Sequence, residues 1–335
     1  MKVMITGAAG FIGKVLTRYC MEHGASVLGL DVKDNDGLCP GVRFELCDVR
    51  NASPLLHLVK SFGPDYVFHL AAQSYPTVSL MHPFETIAIN AGGTVNVFES
   101  VRAAAIAPLI VVACSSAEYG PVAAVDLPVK EDHPLRPLHP YGVSKVSQDL
   151  LAAQYFANYS IPCVRIRIFN TTGPGKRGDV CSDLTKRAAE IELGLRPAVL
   201  PVGNLDTRRA ILNAHDLVSA LWLSLTRCEL GEVYNVCAAQ TYSVQELVDM
   251  LRLNTTVPFV TQRDPALVRA CDEPVIVGDS SKFSRATGWT ETCDLKATVR
   301  DMLEWWRNRL YSETSSDATA LHNARNESVA IVPGV

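Results

Sequence analysis

Gly7-Ala8-Ala9-Gly10-Phe11-Ile12-Gly13 is the stretch that decides the fold, because of the two segments that it joins. Before it, Val3–Thr6 is a short apolar run rich in β-branched residues, which is typical of a buried strand. After it, Phe11–His23 is amphipathic and predicts a helix. The glycines permit a tight turn between the two elements. A strand, a tight turn and a helix together predict the first half of a βαβ unit.

The same alternation continues through the first half of the chain. Strands that are apolar almost throughout are buried on both faces, so helices are expected on both sides of a parallel sheet. We therefore predict an α/β fold: a Rossmann-type doubly wound parallel sheet with a smaller C-terminal substrate lobe. The further predicted strands are Ser26–Asp31, Phe44–Asp48, Tyr66–Leu70, Ile110–Ser115 and Val164–Phe169, and the further helices are Ala52–Phe62, Pro83–Ala104 and Tyr141–Tyr159.

Composition excludes several classes of protein. The 335 residues carry 31 basic and 35 acidic side chains, a formal net charge of −4, which provides no global positive field for a nucleic-acid backbone. No apolar run reaches the roughly 18–20 residues of a membrane span. The ten cysteines include no C-x-x-C pair, so no metal site is expected. Because the chain opens directly on its first strand without a signal-peptide pattern, we expect a cytoplasmic protein.

The glycine-rich turn also predicts a dinucleotide site. Its spacing is G-x-x-G-x-x-G, and backbone N–H groups there can approach a pyrophosphate at the positive end of the helix. Glycines also end strands and start helices without binding a ligand, so the turn alone is a weak signal. The predicted cofactor contacts in the turn are Gly7, Gly10, Phe11, Ile12 and Gly13.

An acidic residue at the end of the second strand strengthens this prediction and selects NAD. Asp31 follows Gly13 by eighteen residues, where a carboxylate accepts hydrogen bonds from both hydroxyls of the adenosine ribose. The same carboxylate repels the 2′-phosphate of NADP, and only Lys33 follows closely enough in the sequence to offset that repulsion. The alternative is that Asp31 only forms a turn.

Two more strand ends contribute to the same predicted site. Asp48 and Val49 close the third strand, and the carboxylate of Asp48 is within reach of an adenine amino group. The fourth strand ends in Leu70-Ala71-Ala72, where small residues let the backbone pass close to a ligand. Parallel sheets bind their ligands at the carboxyl ends of the strands. We therefore expect NAD as the cofactor.

Tyr141 and Lys145 are the candidate catalytic pair and further candidate cofactor contacts, since four residues on a helix place a phenol and an ammonium on one face. The ammonium favours the phenolate, which makes Tyr141 a candidate general base toward a sugar hydroxyl. Ser115 ends the fifth strand at the same edge of the sheet, and its hydroxyl can hold the reacting oxygen. Alone, a Y-x-x-x-K pair is more often a surface pair, and a serine at a strand end is more often a cap.

Together and in this order, these motifs resemble the extended short-chain dehydrogenase/reductase family, in particular its NAD-dependent nucleotide-sugar epimerase/dehydratase group. The resemblance covers roughly residues 1–310. It implies a Rossmann domain for the dinucleotide, a smaller domain for a nucleotide-diphosphate sugar, and a homodimer through a four-helix bundle. The helix after Pro83 and the helix of Tyr141 are the implied contacts of that bundle.

The second half is most similar to the branch that holds GDP-mannose 4,6-dehydratase and GDP-4-keto-6-deoxymannose reductase. The family usually has Arg-Asp where Arg209-Ala210 stands and Arg-Pro where Arg269-Ala270 stands, so only part of the pattern for a guanosine nucleotide is present. By resemblance the basic residues face the diphosphate, since a guanidinium fork suits phosphate oxygens. Gln73 is equally suited to tying down its own loop. The candidate substrate contacts are Gln73, Ser74, Ser116, Ala117, Asn170, Arg208, Arg209, Arg269 and Asp272.

The residue two positions after Ser115 separates the reactions of this group. Dehydratases of the group generally carry an acid-base residue there, and here it is Ala117, whose methyl group moves no proton. On an extended strand Ala117 shares the face of Ser115, whereas Glu118 points away, unless the strand end twists enough to swing Glu118 inward. We therefore predict an epimerase that acts by transient oxidation at C4 of a GDP- or UDP-hexose. A GDP-4-keto-6-deoxy-sugar reductase is the alternative, a 4,6-dehydratase is third, and a non-catalytic dinucleotide-binding module is the alternative from another class.

The motifs divide the chain into three regions. Residues 1–169, with returning segments near 210–237, are predicted to form the NAD-binding domain. Residues 170–209 and 238–311, which have a less regular and partly helical pattern, are predicted to form the nucleotide-sugar lobe. The mostly polar tail, residues 312–335, is predicted to be a mobile end.

Overall fold

A computed structural model describes the backbone of residues 1–267 and 277–329, with side chains as far as residue 313 within those ranges. The strands are β1 (Lys2–Thr6), β2 (Ser26–Asp31), β3 (Arg43–Leu46), β4 (Tyr66–His69), β5 (Leu109–Ser115), β6 (Cys163–Ile168), β7 (Thr171–Thr172), β8 (Val199–Val202), β9 (Arg208–Ala210), β10 (Leu212–Asn213), β11 (Val233–Val236), β12 (Thr241–Ser243) and β13 (Val260–Arg263). The helices are α1 (Phe11–Glu22), α2 (Ala52–Phe62), α3 (Pro76–Met81), α4 (Pro83–Ile87), α5 (Gly93–Ala103), α6 (Pro140–Tyr159), α7 (Val180–Glu192), α8 (Ala214–Arg227), α9 (Val244–Arg252), α10 (Ser281–Thr287) and α11 (Leu295–Val329).

A seven-stranded parallel sheet is the centre of the fold, with the strand order β11-β6-β5-β4-β1-β2-β3. Val3 of β1 pairs with Val27 on one side and with Tyr66 on the other. The chain therefore winds outward in both directions from β1, and the strand order reverses between β1 and β4. At such a reversal the loops diverge and leave a crevice at the carboxyl ends of the strands. The predicted doubly wound Rossmann-type sheet is confirmed.

Helices cover both faces of the sheet, and the side chains of β1 show how. Val3 and Ile5 point to one face and belong to a buried cluster that includes Leu16 of α1 and Leu217 of α8. Met4 points to the opposite face and belongs to a cluster with residues of α2, α5 and α6. The period of two along a strand sends successive side chains to opposite faces. A strand buried on both faces is therefore apolar throughout, as its sequence is.

The chain forms two compact units. The first comprises 1–171, 208–241 and, among the described residues, 277–293, and it contains the central sheet. The second comprises, among the described residues, 172–207, 242–267 and 294–329. Within the second unit, β8 and β13 pair in parallel, and Glu192 of α7 accepts a hydrogen bond of 2.7 Å from the Arg307 guanidinium of α11.

Residues 277–293 differ from the predicted division, which placed them in the smaller lobe. Phe283 and Trp289 are buried in the core cluster that covers one face of the central sheet, and they pack edge to face. The indole N–H of Trp289 donates to the Asp216 carbonyl of α8 at 3.1 Å. Two large aromatic side chains bury enough apolar surface to bind this segment to the first unit.

The predicted helix Pro83–Ala104 is interrupted in the structure. After α4, one π-helical turn spans Ala88–Gly92 before α5 begins. Its inserted residue widens the turn. The turn carries Asn90, which is fully buried, so the interruption coincides with a polar side chain placed inside the protein.

The chain does not leave helical structure at residue 312, as the predicted mobile tail would. Helix α11 continues through Val329, and the pair Arg309 and Glu313, one turn apart at 2.6 Å, joins the two sides of the expected end. Among the described helices, none is both long enough and apolar enough to cross a membrane. That observation does not test the expected cytoplasmic location, which stays a prediction.

Candidate active site

The glycine-rich turn after β1 is packed so tightly that only glycine fits at two of its positions. Gly7 has a φ of +76°, and a Cβ there would lie 2.8 Å from the backbone nitrogen of Ala71. A Cβ on Gly13 would lie 2.1 Å from the Gly7 carbonyl oxygen. Helix α1 then begins after Gly10 with no side-chain cap. A close backbone and an uncapped helix N-terminus fit the pyrophosphate of a dinucleotide.

The carboxylate of Asp31 lies against this turn at the end of β2. One of its oxygens accepts a hydrogen bond from the backbone N–H of Ala9 at 2.9 Å, and the other accepts one from the backbone N–H of Lys33 at 3.1 Å. Each carboxylate oxygen has a second lone pair, which can accept a hydrogen bond from a ribose hydroxyl. The position beside the turn therefore fits the predicted adenosine-ribose contact.

Asp48 is engaged by its own neighbour, which the sequence prediction did not include. Its carboxylate accepts hydrogen bonds from the backbone N–H of Arg50 at 2.9 Å and from the guanidinium at distances down to 2.6 Å. These hydrogen bonds hold the pKa of Asp48 below its ordinary value. Both oxygens of Asp48 face Arg50, whereas the prediction had them open to an adenine. Val49 is buried, and its carbonyl accepts from Asn96 at 2.9 Å.

A buried histidine organises the end of β4. His69 is hydrogen-bonded to Thr6 at 2.8 Å and to Thr94 at 3.0 Å, and Thr6 also accepts from the backbone N–H of Ala71 at 3.2 Å. Burial, with a smaller effect of the Lys145 charge, lowers the pKa of His69 to about 3. A neutral imidazole therefore holds the segment Leu70–Ala72 beside the glycine-rich turn.

Ser115, Tyr141 and Lys145 lie together at the carboxyl end of β5. The Ser115 side chain is hydrogen-bonded to the phenol of Tyr141. The ammonium of Lys145 donates to the Ala113 carbonyl at 2.7 Å and lies 5.9 Å from the centroid of the Tyr141 ring. A strand end, the first turn of α6 and the second turn of α6 thus contribute one group each.

The start of α6 explains why Tyr141 faces the sheet edge. Pro140 occupies the first turn, where its missing N–H costs no hydrogen bond. The imidazole of His139 caps the helix by accepting from the Gly142 N–H at 3.0 Å. The helix therefore begins one residue before Tyr141, and its period brings Lys145 to the same face.

Burial dominates the protonation of both groups on α6. It raises the pKa of Tyr141 to about 12, although the Ser115 hydrogen bond opposes the rise. It also lowers the pKa of Lys145 to about 8. Burial is therefore the largest influence on the pKa of Tyr141, and the predicted favouring of the phenolate by Lys145 stays a prediction. Desolvation disfavours the charged phenolate relative to the neutral phenol.

The predicted orientation of Ala117 and Glu118 also needs correction. Strand β5 ends at Ser115, and Ser116–Glu118 forms a 3₁₀ turn, so the alternation of an extended strand does not apply. Glu118 is fully buried and accepts a hydrogen bond from the Ser115 N–H at 2.8 Å. Its other oxygen lies 3.2 Å from Nε of Arg167. The carboxyl group of Glu118 is therefore paired with groups inside the protein. The half-buried Ala117 offers a methyl group, which cannot transfer a proton.

Four of the candidate substrate contacts follow the strands β4, β5 and β6. The Gln73 side chain donates to the Tyr75 carbonyl at 3.0 Å and to Thr86 at 3.1 Å, so it ties down its own loop. Ser74 is exposed, as is Asn170, whose carbonyl accepts from the Leu212 N–H at 2.9 Å. Ser116 is half-buried in the turn after Ser115.

Four charged side chains of the second half are candidate substrate contacts, and the structure describes two of them. Arg208 directs its guanidinium to Thr241, at 2.7 Å from the carbonyl and 3.1 Å from the hydroxyl. Arg209 donates to the Arg208 carbonyl at 2.8 Å. Arg269 and Asp272 lie outside the residues that the structure describes.

Sequence reasoning missed a buried polar network around α6. Asn90 accepts from the Gln73 N–H at 2.8 Å and donates to Ser144 at 2.8 Å, and Gln148 donates to Thr94 at 2.7 Å. The network ties the loop after β4 to the helix of Tyr141. The available signal was the helical period, which puts Gln148 on the face of Tyr141 and Lys145.

A group of three potential metal ligands lies behind Ser115. Cys114, Glu118 and Asp149 are buried with their ligand atoms within 4.8 Å of one another. The guanidinium of Arg167 donates to Asp149 at 2.9 Å in the same place. A cation from the protein itself therefore already neutralises this group.

The chain is similar to known proteins along most of its length. It matches the family model described as GDP-mannose 4,6 dehydratase over residues 4–302. It is 29% identical to the GDP-6-deoxy-D-mannose reductase of Pseudomonas aeruginosa, over 93% of this chain and 99% of that protein.

Two solved structures are similar in fold. The structure of RMD from Pseudomonas aeruginosa complexed with NADPH has a TM-score of 0.83 and 29% identity, covering 92% of this chain and 99% of that one. The structure of Thermus thermophilus UDP-glucose 4-epimerase in complex with NAD has a TM-score of 0.81 and 25% identity, covering 92% and 99%.

Proposed function

Because the chain belongs to the GDP-mannose 4,6-dehydratase family, we propose that it is an enzyme that exchanges hydride between NAD(H) and C4 of a nucleotide-diphosphate hexose. The observation that carries the proposal is the meeting of Ser115, Tyr141 and Lys145 at the carboxyl end of β5. A hydroxyl, a phenol and an ammonium at one ligand-binding edge are the groups that such an exchange requires.

Each of the three residues has a distinct role in the proposed reaction. A dinucleotide held by the glycine-rich turn and Asp31 would supply hydride exchange at the sugar carbon. Tyr141 donates its phenolic proton to the sugar carbonyl oxygen during reduction and takes it back during oxidation. Ser115 holds the same oxygen by a hydrogen bond, and the positive charge of Lys145 stabilises the phenolate that forms.

Asp31 supports NAD(H) over NADP(H). Its carboxylate lies at the ribose end of the glycine-rich turn, where a 2′-phosphate would meet a negative charge. The similar RMD structure holds NADPH and the similar epimerase structure holds NAD, so relatives of this chain use both cofactors. The charge of Asp31 decides our choice.

The surroundings of Ser115 disfavour dehydration. Loss of water from C5 and C6 needs a group that moves protons at those carbons, in addition to the phenol that acts at C4. Ala117 offers a methyl group, and Glu118 is buried behind Ser115 against Arg167. We therefore retain the two reactions that need no further acid.

Reduction of a 4-keto-6-deoxy sugar is our first choice between those two. Its support is the similarity to a GDP-6-deoxy-D-mannose reductase over nearly the whole of both chains. C4 epimerisation, which the sequence alone ranks first, is the second candidate and is supported by the similarity to an epimerase that holds NAD.

One experiment distinguishes these reactions. The purified protein is denatured and its released small molecules are identified by mass spectrometry, and the native protein is then incubated with GDP-4-keto-6-deoxymannose and NADH or NADPH. We expect consumption of NADH and formation of a GDP-6-deoxyhexose, with little NAD released on denaturation. The Tyr141→Phe variant is the control for chemistry that depends on the phenol.

Other outcomes have equally clear meanings. Stoichiometric bound NAD, with conversion of GDP-mannose or UDP-glucose to its C4 epimer, would replace the reductase by the epimerase. Formation of a 4-keto-6-deoxy sugar from GDP-mannose would contradict the argument from Ala117. Equal rates for wild type and Tyr141→Phe would remove the proposed mechanism.

We also propose that the chain forms a homodimer through α4 and α6. Large apolar side chains are exposed on these helices, including Phe84 at 86%, Leu150 at 57% and Val143 at 45%. Exposed apolar surface of this kind marks an interaction site. Sedimentation of wild type and of the Phe84→Glu, Leu150→Glu double variant tests this, with a dimer expected for the first and a monomer for the second. A monomeric wild type would contradict the proposal.

A further inference from the structure

A buried set of charged side chains lies directly behind Ser115 and is not part of the proposed chemistry. Glu118 follows β5, Asp149 belongs to α6 one turn after Lys145, and Arg167 belongs to β6. The relative exposures of Glu118 and Asp149 are 0%, and that of Arg167 is 4%. Charged side chains at this depth are stable only when their hydrogen-bonding groups are matched to one another.

The hydrogen-bond donors around these side chains leave one carboxyl oxygen of Glu118 without a hydrogen bond. The Nε atom of Arg167 carries one hydrogen, which it donates to Asp149 at 2.9 Å. Arg165 donates to the other Asp149 oxygen. Glu118 accepts from the Ser115 N–H through Oε1, whereas its buried Oε2 lies 3.2 Å from Nε of Arg167 and accepts no hydrogen bond.

A neutral carboxylic acid at Glu118 resolves this mismatch. Its Oε2 would carry a hydrogen and would donate it toward Asp149. A carboxylate oxygen of Asp149 lies within 4.8 Å of a carboxylate oxygen of Glu118. As a neutral acid, Glu118 still accepts from the Ser115 N–H. An ionised Glu118 would instead place two negatively charged carboxylates close together in a buried environment, which is costly.

The electrostatics of the surroundings agree with the neutral form. Burial, reinforced by the negative charge of Asp149 and opposed by Arg167, raises the pKa of Glu118 well above its ordinary value. The other titratable groups that face it are Cys114, Lys145 and Tyr141. A negative charge on Glu118 would raise the pKa of Tyr141 further, so the neutral acid also spares the phenolate a repulsive neighbour.

We propose that Glu118 is a positioning residue, a neutral carboxylic acid that joins the backbone of Ser115 to Asp149 and so holds the Ser115 hydroxyl in register with Tyr141 and Lys145. The proposal rests on the proposed function for its effect on turnover. Asp149 and Lys145 lie one turn apart on α6, so a link from Ser115 to Asp149 joins the strand end to the catalytic helix. The link acts through Ser115 and touches no reacting atom.

Two substitutions separate the hydrogen bonds of Glu118 from its ability to ionise. Glu118→Gln keeps an acceptor for the Ser115 N–H and a donor toward Asp149, so we expect kcat within about threefold of wild type and an unchanged pH profile. Glu118→Leu fills similar space and removes both hydrogen bonds, so we expect kcat to fall about 10- to 100-fold with KM for the dinucleotide unchanged.

The matched control is a second glutamate with the same local role. Glu246 at the start of α9 accepts from the Ser243 N–H at 2.6 Å, as Glu118 does from Ser115, but its side chain is exposed. Glu246→Gln and Glu246→Leu are expected to leave kcat unchanged. Loss of turnover in Glu118→Leu alone would then assign the effect to the place of the hydrogen bond and not to the loss of a helix cap.

Two further measurements report on Glu118 without any turnover. Difference infrared spectra of wild type and Glu118→Gln should show the carbonyl stretch of a protonated carboxylic acid in the wild type alone. A proton that only the native state binds also changes the unfolding equilibrium constant about tenfold for each pH unit. The ratio of the wild-type unfolding constant to that of Glu118→Gln should therefore rise about tenfold per unit above about pH 5, because wild type loses stability as pH rises.

Each result decides the proposal. A shifted pH profile in Glu118→Gln, a missing infrared band, or a kcat in Glu118→Leu equal to wild type would overturn it. If Glu118→Leu does not fold, a turnover loss in Glu118→Gln would overturn it and retention with the infrared band would support it. If wild type transfers no hydride between dinucleotide and sugar, the proposed function fails. The infrared band still shows whether Glu118 is protonated. Slow exchange of the Ser115 amide proton in Glu118→Gln still shows whether the hydrogen bond from Ser115 to residue 118 is kept.

Discussion

Two short turns of this protein share one local design and differ in everything around it. Ser115 and Glu118 form a capping box after β5, and Ser243 and Glu246 form one at the start of α9. The serine N–H donates to the glutamate carboxyl at 2.8 Å in the first and at 2.6 Å in the second. Each box satisfies backbone groups that its helical turn would otherwise leave without partners.

The surroundings of the two boxes are opposite. Glu118 is fully buried beside Arg167, and its serine is hydrogen-bonded to the Tyr141 phenol. Glu246 is exposed and its box begins an amphipathic helix. The difference teaches that the motif S-x-x-E specifies a local turn, whereas its position at the carboxyl end of a central parallel strand makes the first box part of a candidate active site.

The largest expected effect comes from removing the phenol next to the first box. Tyr141→Phe should lower kcat by about 10²- to 10⁴-fold, because the proton at the sugar oxygen then has no donor. Dinucleotide binding, measured by titration of intrinsic fluorescence, should change little. Tyr242→Phe, beside the second box, is the control and should leave kcat unchanged. A Tyr141→Phe variant as active as wild type would end the proposed mechanism.

The two serines provide the most direct test of the comparison. Ser115→Ala and Ser243→Ala each remove one cap, so each should lower the free energy of unfolding by about 1 kcal/mol. Only Ser115→Ala should also lower kcat, by about 10²-fold, because it removes a hydrogen bond to the reacting oxygen. Urea unfolding and steady-state kinetics on both variants measure the two effects. Equal losses of kcat would show that the first box is no more functional than the second.

We expect the buried ammonium of Lys145 to lower the free energy of unfolding, although it supports the proposed reaction. Its pKa is lowered from 10.5 to about 8 by burial, so the native state binds its proton less tightly than the unfolded state does. Wild type should therefore gain stability as pH rises from about 8 to about 10, whereas Lys145→Met should not. Near pH 7 we expect the variant to be more stable by about 2 kcal/mol and at least tenfold less active. A variant that is less stable at every pH would contradict the assignment of a buried ammonium with a lowered pKa.

The smallest expected effect extends the comparison to two aspartates. Asp31 accepts backbone N–H groups at the end of β2, and Asp216 accepts from Thr292 and Cys293, at 3.1 and 2.9 Å. Asp31→Ala should weaken NAD(H) about tenfold and reduce discrimination against NADP(H), because the ribose acceptor and the repulsive charge are lost together. Asp216→Ala should lower the free energy of unfolding by about 2 kcal/mol without changing that selectivity. Unchanged cofactor selectivity in Asp31→Ala would place the ribose elsewhere.

Local patterns were sufficient for the features that depend on neighbouring residues. The strand before Gly7, the helix after it and the face shared by Tyr141 and Lys145 follow from periods of two and of 3.6 residues. Side chains a few positions apart meet on one element whatever surrounds it. The glycines that the turn requires, Gly7 and Gly13, could be recognised for the same reason, although the atoms that exclude a Cβ come partly from Leu70 and Ala71 after β4.

Features that depend on distant partners could not be predicted in this way. Arg167 reaches Glu118 across 49 positions of sequence, and it draws the carboxyl inward where a strand pattern points it away. Asn90 pairs with Ser144 and coincides with a π-turn in a segment predicted as one helix. The ring of Trp289 is buried in the core cluster on one face of the central sheet, so residues 277–293 belong to the first unit. Each outcome was decided by which partner satisfied a buried group best.

The parallel sheet, the dinucleotide turn and the candidacy of Ser115, Tyr141 and Lys145 could therefore be read from the order of the residues. The dominance of burial in the pKa of Tyr141, and the pairing of Glu118 with Arg167, became visible in the folded protein. The physical reason is that backbone period and turn geometry act between neighbouring residues, whereas desolvation and the pairing of buried charges depend on every element that packs around a site.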